Sequence, residues 1–212
     1  MRSSWKDIAS KMPCFTKKNL LNYVEGSIET FNDQIQASIK RGEIFKLKNG
    51  VYVSKEYFDR ANDKSQFIEY IAGQIKSPSY LSKEYVMQKY SLLTESTYTI
   101  SSITKKTRYM YNNFLGTFIY SNIKDSLYFG FEKRIYIGNV YYEANKSKAV
   151  FDYLYLKRNI GGNLKEEILE GLRINWISFS KQDFVLFNVY CIQSKSKKML
   201  RIASILKNNI YK

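Results

Sequence analysis

The chain has 212 residues, 44% of them apolar, and a formal net charge of +15 with no histidine at all. That length holds one large domain or a small one joined to a medium one, and the apolar share builds a real core, which excludes wholesale disorder. The missing histidine excludes His-based acid–base catalysis, Ser-His and Cys-His nucleophile pairs, and nearly every catalytic zinc site.

The charge favours a polyanionic partner. It is spread along the chain, with small clusters at Lys105-Lys106-x-Arg108 and between Lys195 and Arg201. The 19 Tyr and 13 Phe could act as base-stacking platforms, but an A/T-rich genome raises Tyr, Phe, Lys, Asn and Ile through codon usage alone. No apolar run approaches the ~20 residues of a membrane span. The longest, Phe184 to Ile192, is interrupted by Asn188. The start, MRSSWKDIASKMPCF, has no apolar segment after its charges and predicts no signal peptide. Cys14 and Cys191 form no metal-ligand pair and read as free thiols of a reducing cytoplasm.

In chain order, residues 4–12 place Trp5, Ile8 and Met12 at helical spacing until Pro13 stops the run. Thr16 is placed to cap a second helix reaching Val24, with Leu20, Leu21 and Val24 on its apolar side. Glu25-Gly26-Ser27 is a turn signal. A third helix is predicted from Thr30 to Arg41, with Thr30 and Asp33 as a capping pair and Gly42 as its C-terminal stop. Phe31, Ile35 and Ile39 stack on its inner face, joined by Ser38. The outer face carries Glu29, Thr30, Asp33, Gln36, Ala37 and Lys40, flanked by Asn32, Gln34 and Arg41. Two short apolar segments then flank Lys48-Asn49-Gly50. The Asn-Gly pair predicts a type I′ turn that sets Leu47 opposite Tyr52 and Lys46 opposite Val53. Helix, helix, turn, helix and a basic hairpin are the order of a winged helix-turn-helix, whose last helix enters the major groove while the wing touches backbone or minor groove.

Candidate DNA contacts follow from residue type. Thr30, Asn32 and Gln36 suit base edges, and Lys17, Lys18, Lys40, Arg41, Lys46 and Lys48 suit phosphates, with Asn49 at the wing tip. Glu29 and Asp33 oppose this assignment, since carboxylates repel phosphate.

Past residue 54 the pattern predicts a helix over 64–76 and a Ser82-capped helix over 83–90. Strands are expected at 96–104, 115–121, 126–132 and 134–142. A helix at 146–157 follows, then a break at Gly161-Gly162, a helix over 163–172 and a helical stretch over 195–209. The expected architecture is α+β: a winged helix-turn-helix over 1–54 and a mixed α/β domain over 55–212.

Three stretches of this order resemble the AbiEi family. They are Ile35 to Val53, with its helix–Gly42–strand–Gly50-Val51-Tyr52 order; Pro78-Ser79-Tyr80-Leu81-Ser82 leading through a short helix to Leu92-Leu93; and Ala144-x-x-x-Lys148-Ala149-x-x-Asp152-x-x-Tyr155-Leu156. Ser147 and Leu92 stand where the family usually has Glu and Gly. The resemblance covers roughly residues 10 to 160. It implies an antitoxin and transcriptional regulator of a type IV toxin–antitoxin module of the abortive-infection kind. Such a protein represses its own operon through double-stranded promoter DNA, on inverted repeats, and counters a co-encoded nucleotidyltransferase toxin through its C-terminal domain. Direct contact with the toxin and opposition to its effect both remain open. Taken as residues alone, Lys148 and Asp152 at i, i+4 read as an ordinary helix ion pair worth a few tenths of a kcal/mol.

An enzyme is not expected. No Asp or Glu has Lys two residues on, as a restriction-type nuclease needs, and no Asp-x-Asp pair or GxxxxGK loop occurs. No cofactor or metal and no membrane partner is implied. The alternative is a protein-docking module in which the winged helix binds a protein partner.

Overall fold

The computed structural model describes residues 4–24, 26–95, 98–158 and 163–211. The Gly161-Gly162 break and parts of the turn at 25 and of the strand expected at 96–104 lie outside them. The protein is mixed α+β, with a helix-rich N-terminal region followed by a sheet.

Helix α1 (Trp5–Ala9) starts at Ser4, which forms a reciprocal capping box with Asp7, and stops short of the predicted Met12. Helix α2 (Lys17–Leu20) is capped by Thr16 as expected and tightens into a 3-10 turn over Leu21–Tyr23. Helix α3 (Ile28–Lys40) begins two residues earlier than predicted, because the Ser27 side chain, rather than Thr30, accepts the free N–H of the first turn. Its inner face is the predicted one: Phe31, Ile35 and Ser38 are buried and Ile39 is half-buried. These side chains close a small core with Trp5, Ala9, Phe15, Leu20, Ile44 and Tyr52.

Strands β1 (Ile44–Lys48) and β2 (Val51–Ser54) form the expected hairpin in a different register. Lys46 pairs with Tyr52 and Phe45 with Val53, and one residue bulges between Lys46 and Lys48. Of the turn pair only Gly50 takes a positive φ, +79°, so the mirror-image turn predicted from Asn-Gly does not form. The bulge turns Leu47 inward. One side of the hairpin, Ile44 and Tyr52, belongs to the small core. The other, Leu47 and Val53 with Phe45 and Val51 beside them, belongs to the large core of the rest of the chain. Phe15, between α1 and α2, pairs with Tyr52 through two backbone bonds of 2.8 and 2.9 Å.

After α4 (Lys55–Arg60) and α5 (Lys64–Ile75) comes a mixed sheet in the order β5-β6-β4-β3-β8-β7. Its strands are β3 (Ser79–Leu81), β4 (Thr99–Thr104), β5 (Tyr109–Asn113), β6 (Gly116–Asn122), β7 (Phe131–Tyr136) and β8 (Asn139–Ala144). Strands β4 and β6 lie close to expectation. The strand predicted at 126–132 is a 3-10 turn at Asp125–Leu127 followed by the start of β7. The strand predicted at 134–142 is broken by Ile137-Gly138, both at positive φ, into the β7–β8 hairpin. Helix α5 covers one face, where Tyr141 and Tyr120 reach it with hydrogen bonds. Helix α6 (Lys83–Lys89) joins α7 (Lys146–Leu156), which packs against α9 (Lys181–Ser194) and α10 (Lys197–Asn209). A short α8 (Leu164–Glu166) runs into a π turn over Glu167–Gly171. Among the described residues no helix is long and apolar enough to cross a membrane.

Candidate nucleic-acid interface

Helix α3 sits with one face in the small core, which leaves Glu29, Asp33, Gln36 and Lys40 outward and exposed. Asn32, Gln36 and Lys40 follow one another at i, i+4 and i+8 along one stripe. The Lys17 ammonium at the start of α2 donates to the Asn32 side-chain oxygen at 2.5 Å, which couples the two helices and occupies both residues. Lys18 beside it is exposed. Thr30 belongs to the helix cap: its backbone N–H and hydroxyl both lie 3.2 Å from the Ser27 hydroxyl. The first turn also holds Glu29 ionised, its carboxyl pulled below the usual range by its own backbone N–H and by Ser27. The N-terminal half of the outer face is therefore acidic, and the half that can attract phosphate is the one around Gln36 and Lys40.

Arg41, the C-terminal cap, grips Glu43 with two hydrogen bonds of 2.6 and 3.1 Å and also reaches Ser38. With Lys6 on its other side, the Glu43 carboxyl is pushed down to about 2. Arg41 thus has a carboxylate to leave before it can hold a phosphate.

On the hairpin, Lys46 and Asn49 are exposed. Lys48 is half-buried, and its ammonium donates at 2.6 Å to the Ile75 carbonyl, one of the free acceptors at the end of α5. Burial lowers its pKa first, and the nearby Lys106 and Lys76 lower it further. Lys48 therefore braces the hairpin against α5. Other ties work alongside it. The Asn113 side chain donates to the Leu47 carbonyl at 3.1 Å, and Phe114 stacks on Phe45 at 4.0 Å between ring centroids, with Phe58 edge-on at 5.1 Å.

Sequence reasoning missed what this docking brings together. Lys46, Lys48 and Asn49 share a groove of about 560 Å³ with Tyr109, Tyr111 and Asn112 of β5. The Lys76 ammonium lies 5.6 Å from the centre of the Tyr109 ring. The Lys105-Lys106-x-Arg108 cluster was visible in the sequence. Its proximity to the hairpin was not, because it arises from a contact between segments some sixty residues apart.

A second constellation joins two of the stretches that carried the family resemblance. Asp152 on α7 accepts the Tyr80 hydroxyl at 2.9 Å and the Ser82 hydroxyl at 2.7 Å, and is bonded directly to Lys148. Both charged residues are wholly buried. The rings of Phe151, Phe129 and Tyr80 surround the ammonium at 5.0, 5.2 and 5.5 Å. Burial lowers the Lys148 pKa and raises that of Asp152. The expected i, i+4 ion pair forms, but both residues face the core, so it is not the ordinary pair worth a few tenths of a kcal/mol. With no exposed atom offered to a substrate, the cluster ties β3 to α7. A third polar knot lies across the sheet, where buried Glu69 accepts from Tyr85, Lys89 and Tyr141.

Among the described residues no group of three or more His, Cys, Asp or Glu is placed to hold a metal. Both cysteines are free thiols, Cys191 buried and Cys14 half-buried. No protein-family model matches the chain, and no curated protein does.

Proposed function

We propose that the protein is a DNA-binding repressor of its own operon, acting in the cytoplasm, with a winged helix-turn-helix head. The observation that carries this reading is the bridge between Phe15 and Tyr52. It makes Phe15 a short strand alongside the hairpin and gives the order helix, strand, helix, helix, hairpin around one small core. In that arrangement α3 is the reading helix and the hairpin is the wing. Gln36 is the candidate for base readout, with Asn32 and Thr30 already engaged in local bonds. Lys40, Lys18, Lys46 and Asn49 are the groups free to meet the backbone, and Lys17 and Arg41 can do so by exchanging partners.

The test is binding to about 200 base pairs of the gene's own upstream DNA against an unrelated duplex of equal length, titrated at several salt concentrations; a specific preference of ~10³ or more is expected. Equal, steeply salt-dependent binding to both duplexes would reduce the +15 charge to general polyanion affinity and overturn the reading.

The antitoxin half of the proposal rests on the family resemblance. Its support within the molecule is that two of the resembling stretches, around Tyr80-Leu81-Ser82 and Lys148–Asp152, meet at one buried carboxylate. Co-expression with a nucleotidyltransferase encoded beside the gene should restore growth, and continued growth arrest would sink this half alone.

A protein-docking role for the same head is favoured by one observation, the carboxylates Glu29 and Asp33 on the outer face of α3. Lys40→Glu combined with Lys46→Glu separates the two readings. A repressor loses DNA affinity and part of its salt dependence with its fold intact, whereas a docking module leaves DNA retention unchanged. Lys48 is left out of this test because its ammonium supports the fold.

A further inference from the structure

Strand β5 is an edge of the six-stranded sheet, and it forms one side of the groove whose other side is the tip of the β1–β2 hairpin. Tyr109, at the start of β5, is 55% exposed. Its ring packs at 4.5 Å against Tyr111, which stands edge-on to buried Tyr120 at 6.0 Å between ring centroids. An exposed aromatic surface is thus held in place by the sheet behind it, and little ordering is left for a ligand to cause. The cations around this ring lack counter-charges. Lys46 and Lys106 are exposed, and Lys48 and Lys76 are half-buried. Lys76 and Lys106 lie close enough to Lys48 to lower its pKa. Lys105 is paired with Asp125 at 4.0 Å, but among the described residues no carboxylate stands at ion-pair distance from Lys46, Lys48, Lys76 or Lys106. Four ammonium groups gathered round one groove repel one another, and an anion from outside offsets that repulsion.

We propose that this groove binds a single strand of nucleic acid, with a base stacked on Tyr109 and the adjoining phosphates held among Lys46, Lys76 and Lys106. The ring decides the strandedness. Bases of a duplex are stacked on one another and show a protein only their edges, so an aromatic platform gains from a strand whose bases are free. The volume agrees: about 560 Å³ is the size of a pocket for a drug-sized ligand, which is room for a nucleotide or two and not for a duplex. The Lys76 ammonium lies 5.6 Å from the centre of the Tyr109 ring, which puts a cation within reach of the phosphate of a nucleotide whose base lies on that ring. A free mononucleotide offers the same chemistry at one point. The cations here come from three segments, the hairpin, the end of α5 and the β4–β5 turn, which suits successive phosphates of a strand. The site lies beside the proposed wing but uses no residue of α3, so it does not rest on the repressor reading.

The test is fluorescence anisotropy of the full chain with a labelled thymidine strand of about twelve nucleotides, against an abasic strand of equal length and phosphate charge. Wild type should hold the intact strand at least ~5-fold more tightly than the abasic one. Tyr109→Ala should abolish that preference with an unchanged circular dichroism spectrum, and Tyr109→Phe should keep it, because the ring and not the hydroxyl carries the base. Lys106→Ala should weaken both strands alike and lower the salt dependence. Equal binding of the two strands by wild type, or a preference that survives Tyr109→Ala, would reduce the groove to general phosphate attraction and overturn the proposal. The comparison of strands on wild type decides the matter even if Tyr109→Ala does not fold. Thymidine monophosphate displacing the strand at an affinity equal to the strand's own would make the groove a mononucleotide pocket, which also overturns it. Because no duplex is present, each result leaves the repressor reading to stand or fall separately.

Discussion

Gln36 and Lys148 are both polar residues on helices, and the difference in what surrounds them sets opposite expectations. Gln36 is exposed on the outer face of α3, flanked at i−4 by Asn32 and at i+4 by Lys40. A glutamine there can pair bidentately with adenine, a contact worth ~1–3 kcal/mol of discrimination against the wrong base. On the proposed DNA-binding reading, Gln36→Ala should therefore relax specificity at one or two base pairs while general affinity for DNA holds. Equal loss on every sequence would move readout to another residue. Lys148 is enclosed by three aromatic rings and bonded to Asp152, with no solvent access. Its removal by Lys148→Met leaves the Asp152 carboxylate buried without its counter-charge, and should cost ~3–5 kcal/mol in urea unfolding near pH 8. A solvent-exposed helix pair would cost only a few tenths of that unit. The sign of the pH dependence is a further check. Without Lys148 the folded-state pKa of Asp152 lies above its unfolded value, so the loss should shrink as the pH is lowered and the carboxyl takes up a proton.

At the scale of elements, the hairpin β1–β2 is a wall shared by two cores. Ile44 and Tyr52 close the small one while Leu47 and Val53 enter the large one. The clamp that holds it there is the ring of Phe114, between Phe45 and Phe58. Each aromatic pair of this kind contributes ~0.5–1.5 kcal/mol beyond its buried area. Phe114→Ala should accordingly speed amide hydrogen exchange in residues 44–54, even with Lys48 still bonded to Ile75. If exchange there is unchanged, the Phe114 ring is not the clamp, and the burial of Leu47 and Val53 with the Lys48 and Asn113 bonds holds the hairpin without it. The sequence signals for this region were local ones and were largely legible: the inner face of α3, the Thr16 cap and the existence of the hairpin. The register was not, since Asn-Gly favours a mirror-image turn and only the packing of Leu47 into the second core selects a bulge instead. Strands β3 and β5 escaped detection for a related reason. Ser79–Leu81 is three residues long, and Tyr109–Asn113 has a largely exposed, polar-leaning pattern; both are strands because β4 and β6 offer them partners. Helix α9 escaped because its residues are apolar on every side, so no 3.6-residue period rises above the background.

At the scale of the whole molecule, the aromatic content that first suggested base stacking is mostly interior. Tyr80, Tyr120, Tyr136 and Tyr141 are buried, and Tyr70 of α5 stacks on Tyr136 of β7 at 5.4 Å between ring centroids. Their hydroxyls are committed. Tyr120 donates to the Ala72 carbonyl at 2.6 Å, Tyr141 to Glu69 at 2.9 Å and Tyr80 to Asp152. Burial raises the pKa of each, with the nearby carboxylates adding to the rise at Tyr80 and Tyr141. Half-buried Tyr128 is pushed up to about 12 for the same reason. The linkage sign follows. Below pH ~10 these groups are protonated in both folded and unfolded chains, and their contribution to stability is fully present. Above it the unfolded chain releases protons that the folded one keeps, so stability falls as the pH rises. Tyrosinate absorbance should therefore appear in two stages. The buried set, Tyr80, Tyr120 and Tyr141, should ionise only in the later stage, together with loss of the fold seen by circular dichroism. All 19 tyrosines ionising in one step with the fold intact would mean that the sheet and its helices admit water to these rings, and that the polar knots around Glu69 and Asp152 do not close the core.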